Sequence, residues 1–221
     1  MFQGFSEESI QFLWELRFNN ERPWFEAHKS KYLNLVQEPM RELTRQVYTE
    51  FTARHSDLPL ISHVSRIYRD ARRLYGRGPY KSHLWFSLKW PGEEGGELPV
   101  FWFQIAPEGY SYGLGMYPPR PAAMAKFRHA LDQEPERFLP LAKRFEAQTL
   151  FSQEAERYKR KKGEVPPPLE QWYDRKTIDL TCTRPAGGTL YQPDLVQELL
   201  EGFEWLLPYH QYILSVFRRT E

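Results

Sequence analysis

Chemistry concentrates in one stretch, RIYRDARRLYGRGPYKSH, from Arg66 to His83. Between 66 and 81 stand six basic residues (Arg66, Arg69, Arg72, Arg73, Arg77 and Lys81) against one acid, Asp70. The segment carries +5 in a chain whose formal net charge is +1. A basic island in a near-neutral protein is a local feature that points to a site. Arginine presents forked donors that match phosphate or carboxylate, and lysine supplies a compact cation. Asp70 would hold one arginine in place, and Tyr80 would donate its hydroxyl or cover an aromatic ring. Gly76, Gly78 and Pro79 make the segment a loop between two strands, where binding residues tend to lie. Three readings fit these residue types: a small-anion site, a nucleic-acid or protein contact, and a structural Arg–Asp–Tyr network.

A second basic run, Arg157 to Lys162, holds five charges in six residues with Tyr158 inside. Followed by Gly163, it reads as the solvated end of a helix, where cations complement the dipole. Nucleic-acid contact with Tyr158 as a stacking ring is the alternative. In VFWFQIA (100–106), Trp102 and Gln104 share one strand face, opposite Phe101, Phe103 and Ile105. Trp102 and Gln104 are candidates to line a cleft, with Tyr110 and Tyr112 on the next strand; an aromatic core stripe is the other reading. The six histidines show no metal-ligand spacing, and Cys182 sits in an apolar alternation as buried filler. His63 and His83 flank the basic loop. No catalytic nucleophile, metal site or cofactor is assigned. There is no phosphate loop, dinucleotide fingerprint or nucleophile elbow.

The elements that must position these residues follow from periodicity. Ser6 is an N-cap with Glu7 and Glu8 in the first turn, and Asn19-Asn20 ends that helix. A second helix starts near Pro23. Met40, Leu43, Val47 and Phe51 give an apolar stripe, predicting a helix over about 38–54. Residues 61–68, 83–90, 100–106 and 110–116 read as strands, the last pair joined at Pro107-Glu108-Gly109. Gly113 and Gly115 suggest close backbone approach. Helices are expected at 121–133 and from Pro135, then a Pro-rich loop, a strand near 178–182, and a helix from Leu195 that Pro208 breaks before a terminal helix. The fold class is therefore α+β: an antiparallel meander covered by N-terminal and C-terminal helices in one domain, 1–221. At 221 residues a real core needs no staples, and one cysteine excludes a disulfide framework. The longest apolar stretch, 98–107, is too short to span a bilayer, so no membrane association and a soluble cytoplasmic protein are expected. Oligomeric state is not readable.

Three stretches carry a resemblance: GFSEESIQFLWELRFNNERPWFEAHKSKY (Gly4–Tyr32), the arginine segment itself, and FWFQIAPEGYSYGLGMYPP (101–119). They are similar to the opening, the central arginine motif and the strand–turn–strand of the family known as domain of unknown function 2461. The resemblance implies an α+β fold and no assigned activity. Arg66, Arg69, Asp70, Arg72, Pro79, Tyr80 and Lys81 match the motif. An aromatic residue is expected where Arg73 stands, and Asp where Gly76 stands. Chemistry drawn from that Asp would be missing here, while anion binding would be less affected.

Overall fold

A computed structural model describes residues 1–70, 72, 74, 76–92, 98–117 and 121–218. Ser6 caps α1 (Glu7–Phe18): its Oγ accepts from the Ser9 N–H at 3.2 Å, and the Ser9 hydroxyl accepts from the Ser6 N–H at 3.0 Å. This reciprocal box satisfies two N–H groups that a helix start leaves orphaned. Asn19 closes the helix, and α2 (Arg22–Tyr32) begins with Pro23 in its first turn. No turn separates α2 from α3 (Glu38–Arg54). A π-helical segment, Leu33–Gln37, joins them. Pro39 accounts for the widened turn. It has no N–H to give to the Leu35 carbonyl four residues back. That carbonyl instead accepts the Ser9 hydroxyl at 2.7 Å. The apolar stripe of α3 is buried as its spacing requires, with Met40, Leu43, Val47 and Phe51 fully shielded.

Among the described residues six strands follow: β1 (Ile61–Val64), β2 (Leu84–Lys89), β3 (Val100–Ala106), β4 (Gly109–Gly115), β5 (Ser152–Gln153) and β6 (Asp179–Pro185), in the order β1-β2-β3-β4-β6-β5. The fold is α+β. An antiparallel meander through β4 is extended by β6 and the short edge strand β5, with helices at both ends of the chain. Between them lie α4 (Pro121–Gln133), α5 (Pro135–Glu146) and α6 (Pro167–Tyr173); α7 (Leu195–Phe217) follows β6. Burial alternates along β3, with Phe101, Phe103 and Ile105 shielded and Trp102 and Gln104 half-buried. β2 buries Leu84, Phe86 and Leu88 and leaves Trp85 half-buried.

Two compact units divide the chain, with boundaries inside β2, β3, β4, β6 and α7. The first holds Met1–Leu88, Trp102–Tyr112 and Thr183–Glu201; its core stacks Phe5 on Phe103 and Phe86 on Phe103, at 6.2 and 5.6 Å. In the second, Trp172 is ringed by Phe138, Phe145 and Tyr209 at 4.9, 5.1 and 5.9 Å. Gly113 shows why a residue without a side chain is needed: a Cβ there would overlap the Leu180 carbonyl. Gly113→Ala is expected to lower the unfolding free energy by about 2 kcal/mol, read as a shifted urea midpoint.

Several expectations need correction. Pro208 does not break the last helix; α7 runs through it. Tyr209, Leu206 and Ile213 are buried around it, and burial on this scale outweighs the ~3 kcal/mol that an interior proline costs. The Pro-rich loop contains α6, which Pro167 opens at a position where its missing N–H is harmless. The strand expected at 61–68 stops at Val64, and a bridge forms again at Tyr68–Tyr80. Residues 157–163 are no helix end. The chain there is irregular, Arg157 pairs with Arg175 in an isolated β-bridge, and Gly163 lies against the Tyr173 ring. No described helix is long and apolar enough to cross a membrane.

Candidate functional site

The basic segment forms the end of a hairpin in the first unit. The Arg69 N–H donates to the Pro79 carbonyl and the Lys81 N–H to the Ile67 carbonyl, both at 2.8 Å, flanking the Tyr68–Tyr80 bridge. Gly76 has φ of +77°, a conformation glycine takes freely and Asp tolerates better than most residues. Arg73 lies outside the described residues.

Asn20 clamps this hairpin to the end of α1. Its Oδ1 accepts from the Tyr80 N–H and its Nδ2 donates to the Tyr80 carbonyl, each at 2.9 Å. The same carbonyl accepts Arg69 Nε at 2.8 Å. Gly78 approaches Asn20 so closely that a Cβ would collide with it. Tyr80, which the sequence offers as a hydroxyl donor or a cover for a ligand's aromatic ring, is a core anchor. It is 1% exposed and stacked on Phe25 at 4.1 Å, and burial raises its hydroxyl pKa.

From this anchor two cations and a histidine come together. Arg69 is half-buried, and its acidity is raised by burial and by Arg77. Lys81 is half-buried, and burial, then Arg69, lowers its pKa. Neither has an ion pair with a carboxylate among the described residues, and beyond its Nε the Arg69 guanidinium bonds none of them. His83 is pushed down to about 4, by burial first and then by Lys81, Arg69 and Arg17. It is therefore a neutral ring at pH 7. Arg17, from α1, reaches the same stretch: its Nε donates to Ser82 Oγ at 3.3 Å. Its charge is already matched, because Glu108 at the β3–β4 turn takes it in a two-pronged pair at 2.5 and 3.0 Å.

The remaining candidates separate from this cluster. Asp70 does orient an arginine, and that arginine is Arg72: Nε–Oδ1 is 3.1 Å and Nη2–Oδ2 is 2.9 Å. Arg72 is 88% exposed, so the pair adds little stability. Arg66 is exposed, without a carboxylate partner among the described residues. Neither Arg66 nor Arg72 is among the charges that depress His83. Trp102 and Gln104 lie on the sheet face opposite the Phe86–Phe103 stack, as does Trp85 of β2. Tyr110 and Tyr112, expected beside Trp102, belong to the core face. Tyr110 packs 6.0 Å from Phe103, and its hydroxyl donates to the Glu198 carboxylate at 3.0 Å. In the second basic run Tyr158 already carries cations: Lys162 Nζ is 4.2 Å and the Arg128 guanidinium 5.7 Å from its ring centroid.

Sequence reasoning missed Asn20, Arg17 and Trp85. Asn20 reads only as a helix stop, because side-chain clamps on a distant backbone leave no periodic trace. Trp85 is legible as the polar-face partner of Leu84 and Phe86, but only once the sheet order puts β3 beside it.

A search of curated proteins finds no match. The model of the family described as conserved hypothetical protein (DUF2461) matches residues 8–212 of the 221, so the chain belongs to that family.

Proposed function

We propose that this chain is a cytoplasmic domain that binds a small anionic, phosphate-bearing ligand between Arg69 and Lys81, beside His83. One observation carries the reading: two half-buried cations stand together with no carboxylate to balance them among the described residues. Burying like charges is unfavourable unless a counter-charge arrives. A phosphate would accept from the free Arg69 nitrogens and from Lys81 Nζ, both charge-assisted contacts. The single cysteine, with no second thiol to pair with, suits a reducing compartment.

Thermal denaturation with and without phosphate esters tests this. At 100 times its dissociation constant a ligand adds about 2.7 kcal/mol, or a Tm rise of roughly 5–11 °C at this size. Lys81→Met is expected to abolish that rise. Without ligand the same variant is expected to be more stable than the parent by about 1 kcal/mol, because an unbalanced charge is gone. A site for one anion also gives a shallow salt dependence; a nucleic-acid track contacting six phosphates gives a log–log slope near −5. No rise with any anion, together with a destabilised Lys81→Met, would refute the proposal and leave the cluster as architecture.

A further inference from the structure

The surroundings of Lys81 specify what the anion is attached to, an inference that rests on the anion-binding reading above. We propose that the phosphate belongs to a nucleotide, whose base is received by the Trp85–Trp102–Gln104 face of the sheet. Lys81 Nζ lies 5.8 Å from the centroid of the Trp85 ring, a separation that a single pentose bridges. Trp85, Trp102 and Gln104 share one face because Phe86 and Phe103, their neighbours in sequence, stack on the other at 5.6 Å. All three are half-buried, and the Gln104 amide bonds no described residue. His63 borders Trp85 with ring centroids 5.5 Å apart.

Inorganic phosphate or a polycarboxylate would engage Arg69 and Lys81 and leave two indoles and an amide idle. A nucleotide uses all of them. Its phosphate draws Lys81 off the indole, and its base stacks on the ring face thereby uncovered. The Gln104 amide, one acceptor and two donors, faces the base edge. Stacking on an aromatic side chain is sequence-tolerant, since every base has a π-face. The same unit occurs as a free nucleotide and at the end of a strand.

Calorimetric titration separates the cases. The ligands are inorganic phosphate, ribose 5-phosphate, AMP, UMP and a 5′-phosphorylated oligothymidylate. The proteins are the parent, Trp85→Leu, Trp102→Leu and Lys81→Met. AMP and UMP are expected to bind at least ~10-fold tighter than ribose 5-phosphate. Trp85→Leu and Trp102→Leu are expected to erase that margin while leaving ribose 5-phosphate affinity in place; Lys81→Met weakens every ligand. The AMP to ribose 5-phosphate ratio on the parent decides the matter even where a tryptophan variant fails to fold. Oligonucleotide binding with the same tryptophan dependence supports the proposal with a strand end as the source, and AMP binding alone supports it with a free nucleotide. Equal affinity for AMP and ribose 5-phosphate, both lost in Lys81→Met, overturns the nucleoside and leaves the anion site. No binding by any of the five overturns both.

Discussion

Acidifying the protein from pH 8 to pH 5 is expected to lower its unfolding free energy by about 3 kcal/mol. Two histidines set the window. His210 is 1% exposed, stacked on Phe101 at 4.8 Å, and held down to about 4, by burial against a smaller opposing hydrogen bond to the Pro99 backbone. His83 is also held to about 4. In the unfolded chain both take up a proton near pH 6.5. Below that value the unfolded state gains protons that the folded state refuses, so unfolding becomes easier. Their stabilisation is complete above pH 6.5 and is lost as the pH falls toward 4. His210 accounts for about 2 kcal/mol at pH 5, and His83, more open to solvent, for about 1 kcal/mol. Asp179, whose carboxyl burial pushes up, works in the opposite sense. The expected Tm drop is roughly 6–12 °C. Urea midpoints at pH 8, 6.5 and 5 measure it, and His210→Phe, which keeps the ring stack, should flatten most of it. Phosphate tests the candidate site in the same data. An anion beside Arg69 and Lys81 raises the His83 pKa toward 6.5, so the residual pH dependence of His210→Phe should shrink when phosphate is present. A pH-independent midpoint in the parent would show that neither ring is held neutral.

Why some of this was legible and some not has a physical explanation. The stripe in α3 and the alternation in β3 are local signals, repeated several times, and both stand in the structure within a residue of their expected bounds. Terminators were less reliable. Pro208 is an unfavourable residue inside a helix, yet the apolar side chains on both sides of it are buried, and local cost yields to tertiary packing. The π-helical joint depends on Ser9 reaching the Leu35 carbonyl from another helix, which no local pattern encodes. The site divides along the same line. That the segment is a basic island is read from its charge alone. Which of its members gather is not, because that depends on a bridge between Tyr68 and Tyr80 and on the burial of the Tyr80 ring. Tyr80 illustrates the point: an aromatic beside arginines resembles a ligand-facing ring, while its stacking on Phe25 makes it the pin that fixes the hairpin.

Asn20→Ala is expected to destabilise the protein by about 3 kcal/mol and to weaken phosphate binding about 10-fold. The substitution removes both hydrogen bonds of the clamp. The Tyr80 carbonyl keeps Arg69 Nε as a partner, but its N–H is left without one in a buried place. An orphaned buried donor costs about 1–3 kcal/mol, and the other bond contributes roughly 1 kcal/mol more. Binding should suffer because Arg69 is aimed from the same carbonyl that Asn20 holds. Asn20→Asp separates geometry from charge. Its carboxylate still accepts from the Tyr80 N–H, so much of the stability should return. It also stands beside Arg69, since the parent's Asn20 amide and Arg69 Nε both donate to one carbonyl oxygen; the oxygen that replaces the amide nitrogen has no proton to give that carbonyl, and beside Arg69 it supplies the counter-charge that the proposed anion would otherwise bring. Phosphate affinity should therefore fall further in Asn20→Asp than in Asn20→Ala, although the protein is the more stable of the two. If affinity instead followed stability across the pair, Asn20 would act on the anion only through the fold, and the charge imbalance at Arg69 and Lys81 would not be what draws the ligand.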